Sequence, residues 1–244
     1  MASTAAMTSH SGPIVDPHRH QWDTVGKTRE NNNSLLGDLG CYLAGEYSAD
    51  FVSAGINIES AVHVEAFPND QVLETDFLVG LIESGASPIR GIVANANLSM
   101  QREGPDSKSQ QGDGLQALED ILQGHLKAGK GYVKGIRWVL NHEPSWPQVH
   151  RGDYFTDPQF AAGFAMLAKH GLAFDVQANP HQFKGAAAFF AEHPDTTVVI
   201  NHMGCLKLSA AGEDASGDEA ALAVWREGMA AMAALPNVYI KVCL

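Results

Sequence analysis

The sequence is poor in cysteine and in positive charge, and it contains no long hydrophobic run. Its three cysteines form no Cys-x-x-Cys pair, which argues against a disulfide framework and favours reduced thiols. No apolar stretch approaches the roughly 18 residues that a membrane-spanning helix requires. The 16 lysines and arginines are outnumbered by 28 acidic residues, and the net charge of −12 opposes binding to the phosphates of nucleic acids. These absences predict a cytoplasmic protein that acts on a small molecule, not on nucleic acid or a membrane.

The composition of the amino terminus differs from that of the rest of the chain. Residues 1–12 are rich in Ser, Thr and Ala but lack the apolar region of a signal peptide, so they are predicted to be a disordered tail. Residues 13–244 contain no linker and no internal repeat, and an apolar fraction of 45% supplies a sizeable core. They are predicted to form one barrel domain. The sequence leaves open whether this domain forms a homo-oligomer.

Short runs rich in Val and Ile recur along the chain. They are nearly continuous, as expected for parallel strands buried on both faces. Stretches with apolar residues at helical spacing lie between them, and this alternation predicts an α/β fold, a TIM (β/α)₈-type barrel. The predicted strands are 14–15, 58–64, 89–94, 132–140, 172–178, 197–201 and 238–242, and the predicted helices are 70–84, 114–128, 157–170, 183–193 and 219–235.

The predicted barrel has seven strands where a closed barrel has eight, and the chain stops on the seventh. We therefore expect a C-terminally incomplete barrel, which is either part of a longer enzyme or a truncated product. Loops rich in Gly, Ser, Asp and Pro follow strand ends, on the face where barrel enzymes build substrate pockets. These predicted loops are 26–50, 104–112, 141–156 and 204–217.

His18 and His20 form the motif around which the chain is organised. They lie two residues apart at the end of the first predicted strand, and a strand that continues through them places both imidazoles on one face. His181 follows strand five and His202 follows strand six. Because the carboxyl ends of parallel strands meet on one rim, we expect these histidines to converge there. Imidazoles in such a place hold a divalent metal or donate hydrogen bonds to a substrate oxygen.

Charged residues also stand near the strand ends. Arg137 in strand four and Glu65 after strand two either contact the substrate or pair with another charged residue, as is common at strand ends. Pairing is the expectation for Asp175 and Lys241. The remaining histidines are predicted to lie in the tail, in loops or on helix surfaces: His10, His125, His142, His150, His170 and His193.

Five segments together resemble the strand segments of amidohydrolase-related proteins, in order and in spacing: IVDPHRHQWD, VKGIRWVL, FDVQANPHQ, VVINHMG and PNVYIKV. Within that family they are most similar to the sugar-lactone and 2-pyrone-4,6-dicarboxylate lactonases, with metal-dependent decarboxylases as cousins. The resemblance covers about residues 13–244. It implies a TIM barrel that opens a lactone or a related ester of a sugar acid or dicarboxylate.

The resemblance also implies roles for individual residues. It assigns catalysis to the four histidines His18, His20, His181 and His202, and a single divalent metal, with zinc as the leading candidate, to the first three. It implies that Arg137 faces a substrate carboxylate, which suits an anionic substrate. Family members work with or without metal, so the ligand spacing leaves a metal-independent mechanism open.

One element of the family has no counterpart in this sequence. The family places an Asp after strand eight, in a Ser-Asp-Trp-Pro-like segment, and uses it to activate water. Three functions therefore stay open: a lactonase, a metal-dependent decarboxylase of an unsaturated or aromatic acid, and a catalytically inactive binding module. We expect the 244-residue chain alone to have little or no hydrolase activity.

Overall fold

The computed structural model describes residues 12–23, 40–53, 55–68, 70–100, 114–143, 151–210 and 214–242. Within them, seven parallel strands form one sheet whose spatial order is the order of the chain, with helices between successive strands, as in a TIM barrel. The strands are β1 Ile14–Arg19, β2 Ile58–Val64, β3 Ile89–Asn95, β4 Val133–Val139, β5 Ala173–Gln177, β6 Val198–Ile200 and β7 Val238–Ile240.

The helices of the described residues join these strands. They are α1 Ala44–Ser53, α2 Gln71–Glu83, α3 Gly114–Gly129, α4 Pro158–His170, α5 Phe183–Ala191, the single turn α6 His202–Cys205 and α7 Asp218–Ala233. Short 3₁₀ turns lie at Tyr154–Thr156 and Pro180–Gln182. The TIM-barrel class and all the predicted strands are confirmed by this alternation, whereas the predicted tail 1–12 lies almost wholly outside the described residues.

Two sequence predictions of local structure are wrong. The predicted loop 26–50 contains the start of α1, whose single buried residue is Tyr47, so its apolar pattern is too weak to mark a helix. Strand β1 continues to Arg19 instead of ending at residue 15. Its register against β2 shifts between Asp16 and Arg19, and this irregularity carries the strand through Pro17, which donates no backbone hydrogen bond.

Helix α4 begins and ends where its sequence signals place it. The Asp157 carboxylate accepts a hydrogen bond from the Gln159 backbone N–H, Pro158 occupies the first turn, and Gly171 adopts φ 63° after the last turn. An Asp cap contributes about 1 kcal/mol, and a glycine adopts positive φ without the strain of a Cβ. These local signals fix the position of α4 along the chain.

Helices α4 and α5 pack on β5 through a cluster of phenylalanines. Phe164 contacts Phe174, Phe189 and Phe190, with ring centroids 5.2 to 5.4 Å apart. Phe160 extends the cluster and is fully buried. Aromatic pairs in such geometry contribute about 0.5–1.5 kcal/mol each beyond the area that they bury. This packing fixes α4 and α5 against β5, the strand with which β6 pairs.

His125 does not lie on a helix surface, as the sequence analysis expected, but is fully buried. It shares the inner stripe of α3 with Leu118 and Leu122. Its Nε2 lies 2.9 Å from the Asn95 carbonyl oxygen, and its Nδ1 lies 2.8 Å from Thr75 Oγ1. The imidazole therefore links α3 to α2 and to the end of β3. Over the described ranges, no helix has the length and apolarity needed to cross a membrane.

Candidate active site

Three of the predicted histidines converge at the carboxyl ends of the strands. His18 lies in β1, His20 follows β1 directly, and His202 follows β6. The ring of His18 lies 5.0 Å from that of His20 and 4.6 Å from that of His202, measured between centroids. The sequence therefore predicts the composition of this cluster, which we call the imidazole cluster (His18, His20 and His202).

The proton positions in the cluster follow in part from its hydrogen bonds. His20 Nδ1 lies 2.8 Å from the Val64 carbonyl oxygen, and because a carbonyl only accepts, Nδ1 carries the proton. This tautomer leaves Nε2 of His20 as an acceptor. Neither ring nitrogen of His18 has a hydrogen-bond partner among the described residues, although both are buried. His18 is thus able to donate to, or accept from, a bound molecule.

All three imidazoles are held neutral. Burial lowers the pKa of His20 to about 3, and the Arg137 and His63 charges act in the same direction. Burial, helped by His20, Arg137 and Lys241, lowers the pKa of His18 far below its usual range. The pKa of His202 is lowered too, chiefly by burial, but the Asp175 carboxylate partly offsets this lowering. A neutral imidazole both donates and accepts, which suits general acid–base chemistry.

Two buried ion pairs flank the cluster. Arg137 Nε lies 2.6 Å from Glu65 Oε1, its Nη2 lies 2.8 Å from the Glu65 carbonyl oxygen, and its Nη1 lies 3.1 Å from Gln177 Oε1. Lys241 Nζ lies 2.5 Å from Asp175 Oδ2. Arg137 and Glu65 thus make the ion pair that the sequence left as the alternative to substrate contact. Substrate binding by either residue stays a prediction.

His181 lies apart from the imidazole cluster. It is exposed in the turn Pro180–Gln182, where Asn179 and Gln182 form a capping box. It lines a pocket of about 440 Å³ together with Cys205, Lys207 and other residues of the β6–α7 region. The lining of this pocket includes no member of the imidazole cluster. This arrangement does not test the predicted catalytic role of His181.

The described residues do not fit the predicted metal site. Among them, no group of three His, Cys, Asp or Glu side chains is arranged to hold a metal ion, and the predicted trio His18, His20 and His181 is not assembled. The charged groups that act on His18 all lower its pKa, and Arg137 and Lys241 are cations. Their field opposes a further cation beside His18 and favours an anion.

The loop after β6 has an uncommon backbone. His202, Met203, Gly204 and Cys205 have φ of 50°, 50°, 79° and 52°, so α6 is a single left-handed turn. For residues other than glycine this conformation costs roughly 1–2 kcal/mol each. The turn aims the His202 ring at His18, at a tilt of 44°. Such strain at a site residue is maintained only where the surroundings fix it.

His63 is a further buried histidine, to which the sequence patterns assign no role. It is fully buried at the end of β2, and burial together with the Arg19 charge lowers its pKa to about 3. Its Nε2 lies 3.5 Å from Glu74 Oε1. The sequence signal that could have pointed to His63 is the segment His63-Val64-Glu65, in which polar residues stand at a strand end. Nothing comparable in the sequence marks the contact between Trp225 Nε1 and the Met203 carbonyl oxygen, at 2.7 Å.

Known proteins resemble this chain over different spans. A family model described as amidohydrolase matches residues 116–244. Uncharacterized protein y4mH of Sinorhizobium fredii is 26% identical over 242 residues, which cover 94% of this chain and 72% of that protein. L-fucono-1,5-lactonase of Burkholderia multivorans is 33% identical over 88 residues, which cover 36% of this chain and 28% of the lactonase.

A solved structure shares the fold. An amidohydrolase of Burkholderia multivorans with bound zinc superposes with a TM-score of 0.64 at 23% identity, and the match covers 95% of this chain and 69% of that one. The family match and the lactonase relative confirm the resemblance that the strand segments carry. Similarity at this level establishes architecture and leaves the substrate to chemical argument.

Proposed function

Because this chain belongs to the amidohydrolase family, a family of hydrolases, we propose that it opens the lactone of an acidic sugar or dicarboxylate by adding water to the ring carbonyl. The observation that carries the proposal is the imidazole cluster of neutral rings beside two buried cations. Lactone opening places negative charge on the carbonyl oxygen and then on the leaving alkoxide. A cluster of neutral donors in a positive field stabilises both.

The proton positions and pKa shifts suggest different catalytic roles for His202 and His18. The Asp175 carboxylate offsets part of the lowering of the His202 pKa, which favours His202 as a base. We assign it the proton of the attacking water. His18, whose ring nitrogens are buried and unpaired within the described residues, donates a hydrogen bond to the carbonyl oxygen. Water adds to the carbonyl carbon, the ring C–O bond breaks, and the proton on His202 passes to the leaving alkoxide.

The surroundings favour an anionic substrate. Lys241 and Arg137 both act on His18, whereas their carboxylate partners Asp175 and Glu65 act on His202 and His20. A negatively charged lactone gains from this field, whereas the net charge of the whole chain, −12, repels it at long range. The lining of the pocket of about 440 Å³ beside His181 includes Cys205, which lies in the same turn α6 as His202, and this pocket is large enough for the part of the substrate that does not react.

Removal of metal with a chelator tests whether the proposed reaction depends on a metal. Zinc is bound in the Burkholderia multivorans amidohydrolase, but the described residues here do not fit a three-ligand site. The steps above therefore use only side chains of this chain. Turnover that is unchanged after EDTA treatment and dialysis would support these steps. Turnover that is lost on chelation and restored by added zinc would contradict them.

The decisive experiment is an assay of lactones with the purified chain. Release of acid is followed with a pH indicator for L-fucono-1,5-lactone, other sugar lactones and 2-pyrone-4,6-dicarboxylate. We propose faster turnover of the lactones that carry a carboxylate than of neutral ones of equal size. Release of carbon dioxide from aromatic or unsaturated acids instead would identify a decarboxylase. Calorimetric binding of a lactone without turnover would identify the inactive binding module, whereas robust turnover by this chain would overturn the low activity expected from the sequence.

A further inference from the structure

We propose that Trp225 is a positioning residue for His202: its indole N–H holds the left-handed turn α6 in the conformation that sets His202 against His18. The part of this proposal that concerns turnover rests on the proposed lactone hydrolysis. The part that concerns the position of the His202 ring does not. Trp225 lies on α7, outside the sequence motif that contains His202.

The turn needs external support because of its backbone. Three of its four residues carry a Cβ and still adopt positive φ. Residues in this region persist where neighbouring groups fix them. Within the turn itself, the Gly204 N–H donates to the Asn201 carbonyl oxygen at 2.9 Å. This bond closes the turn but does not decide where it points.

Two contacts from neighbouring elements set its direction. The Met203 N–H donates to the Lys241 carbonyl oxygen at 3.2 Å, which ties the turn to the end of β7. On the other side, Trp225 Nε1 donates to the Met203 carbonyl oxygen at 2.7 Å. Met203 is thus held at both its backbone N–H and its carbonyl oxygen, which belong to successive peptide units. The shorter of the two bonds comes from the indole.

Side chains of α5 and α7 pack closely against the turn at Gly204. A Cβ added to Gly204 would lie 3.0 Å from Met229 Cε, 3.2 Å from Phe183 Cε2 and 3.2 Å from Trp225 Nε1. The turn therefore sits directly against α7 at its glycine. Rotation of the Met203–Gly204 peptide would break the indole hydrogen bond, and we infer that the backbone of Met203 would then no longer hold the adjacent His202 ring at its centroid distance of 4.6 Å to His18.

The test compares two identical substitutions. Trp225→Phe removes the donor and keeps an aromatic ring. Trp138→Phe is the matched control, because Trp138 packs against the core and its Nε1 has no hydrogen-bond partner in the described part of the chain. For W225F we expect kcat on the active lactone to fall by about tenfold to a hundredfold, with KM changed by less than about threefold. W138F should leave both close to wild type.

A second readout does not depend on turnover. The ¹H–¹³C correlation of the His202 ring, recorded at one fixed pH, should move in W225F and stay in place in W138F. An unmoved His202 signal in folded W225F overturns the proposal, whatever the kinetics show. If no lactone is turned over by wild type, the proposed function fails, while the His202 signal still decides the role of Trp225.

The wild-type protein supplies a readout in case W225F does not fold. The indole N–H of Trp225 should exchange with D₂O at least about tenfold more slowly than an unbonded indole N–H, because it donates to the Met203 carbonyl oxygen. Exchange of the Trp225 indole at the rate of an unbonded indole overturns the proposal.

Discussion

Lys241, directly after β7, forms an ion pair of 2.5 Å with Asp175 of β5, across the strand β6 that lies between them. The Asn201 side chain donates to the same carboxylate at 2.8 Å. Asp175 is 2% exposed, and these two donors satisfy its buried carboxylate. The pair thus joins alternate strands next to the imidazole cluster, and it fixes which carboxylate His202 faces.

Breaking this pair should destabilise the fold strongly. Lys241→Met leaves the Asp175 carboxylate buried with one neutral donor, and we expect a loss of about 3–5 kcal/mol in the free energy of unfolding, measured with urea. The double variant K241M/D175N should recover part of it, because the buried charge is gone. Lys184→Met is the control, since Lys184 and Glu227 are paired at the surface. A K241M loss no larger than that of K184M would refute this expectation.

The two histidines that follow β5 and β6 should differ in kinetic role. His202 lies in the imidazole cluster, whereas His181 is exposed and lines the separate pocket. We expect His202→Gln to lower kcat by about 10²- to 10⁴-fold. His181→Gln should change kcat by less than about tenfold and act mainly on KM. Steady-state kinetics on one lactone decide between them, and a larger kcat loss in H181Q would restore the role that the resemblance implies for His181.

His125 should make the fold sensitive to acid. Burial lowers its pKa in the folded chain, while in the unfolded chain it titrates near 6.5. Below about pH 6.5 the unfolded chain therefore takes up a proton that the folded chain refuses, and the stability falls as the pH decreases. His125→Gln should flatten the dependence of the unfolding free energy on pH between about 7 and 5. An equally steep dependence in H125Q would show that other groups account for it.

The hydrogen bonds of His125 give a companion prediction at pH 8. Its Nε2 must donate to the Asn95 carbonyl oxygen, so Nδ1 accepts from the Thr75 hydroxyl. Thr75→Val removes that donor inside the core and should cost about 1–3 kcal/mol. Thr75→Ser keeps the hydroxyl and should cost less. Equal losses in the two variants would show that the methyl group, not the hydrogen bond, matters.

Two glycines at positive φ should respond differently to alanine. Gly171 ends α4 at φ 63°, and a Cβ there meets no atom within 4 Å, so Gly171→Ala should cost about 1 kcal/mol and leave turnover unchanged. Gly204 at φ 79° has Met229, Phe183 and Trp225 in the way of a Cβ. Gly204→Ala should cost more and also lower kcat. Urea unfolding and kinetics on both variants provide the check, and a normal kcat in G204A would argue against the tight seating of α6.

Much of the fold and part of the site could be predicted from the sequence. Parallel strands bring their carboxyl ends to one rim, so residues at the ends of β1 and β6 converge whatever the loops do. That is why His18, His20 and His202 meet as expected. The expectation that Asp175 and Lys241 are paired is confirmed, because charges that the strand ends bring to one rim must be matched once they are buried.

The positions of His181 and His125 depend on contacts with residues distant in the sequence, so they cannot be read from a short segment. Gln182 is buried, donates to the Leu140 carbonyl oxygen at 2.8 Å and accepts from the His142 N–H at 3.0 Å, and this anchoring leaves its neighbour His181 exposed. The direction of that turn is set by a strand distant in sequence. His125 carried a readable sign, its place on the stripe of Leu118 and Leu122, but its partners Thr75 and Asn95 are also remote.

The in-order sheet has a consequence for how the chain is assembled during synthesis. Each described strand pairs with the strand before it, from β1 to β7. A strand that leaves the ribosome therefore finds its hydrogen-bonding edge already present, and the loop to be closed is only one helix long. We expect protease resistance in ribosome-bound nascent chains to spread from the amino-terminal βα units toward β7 in steps, so that each finished unit serves as the template for the next.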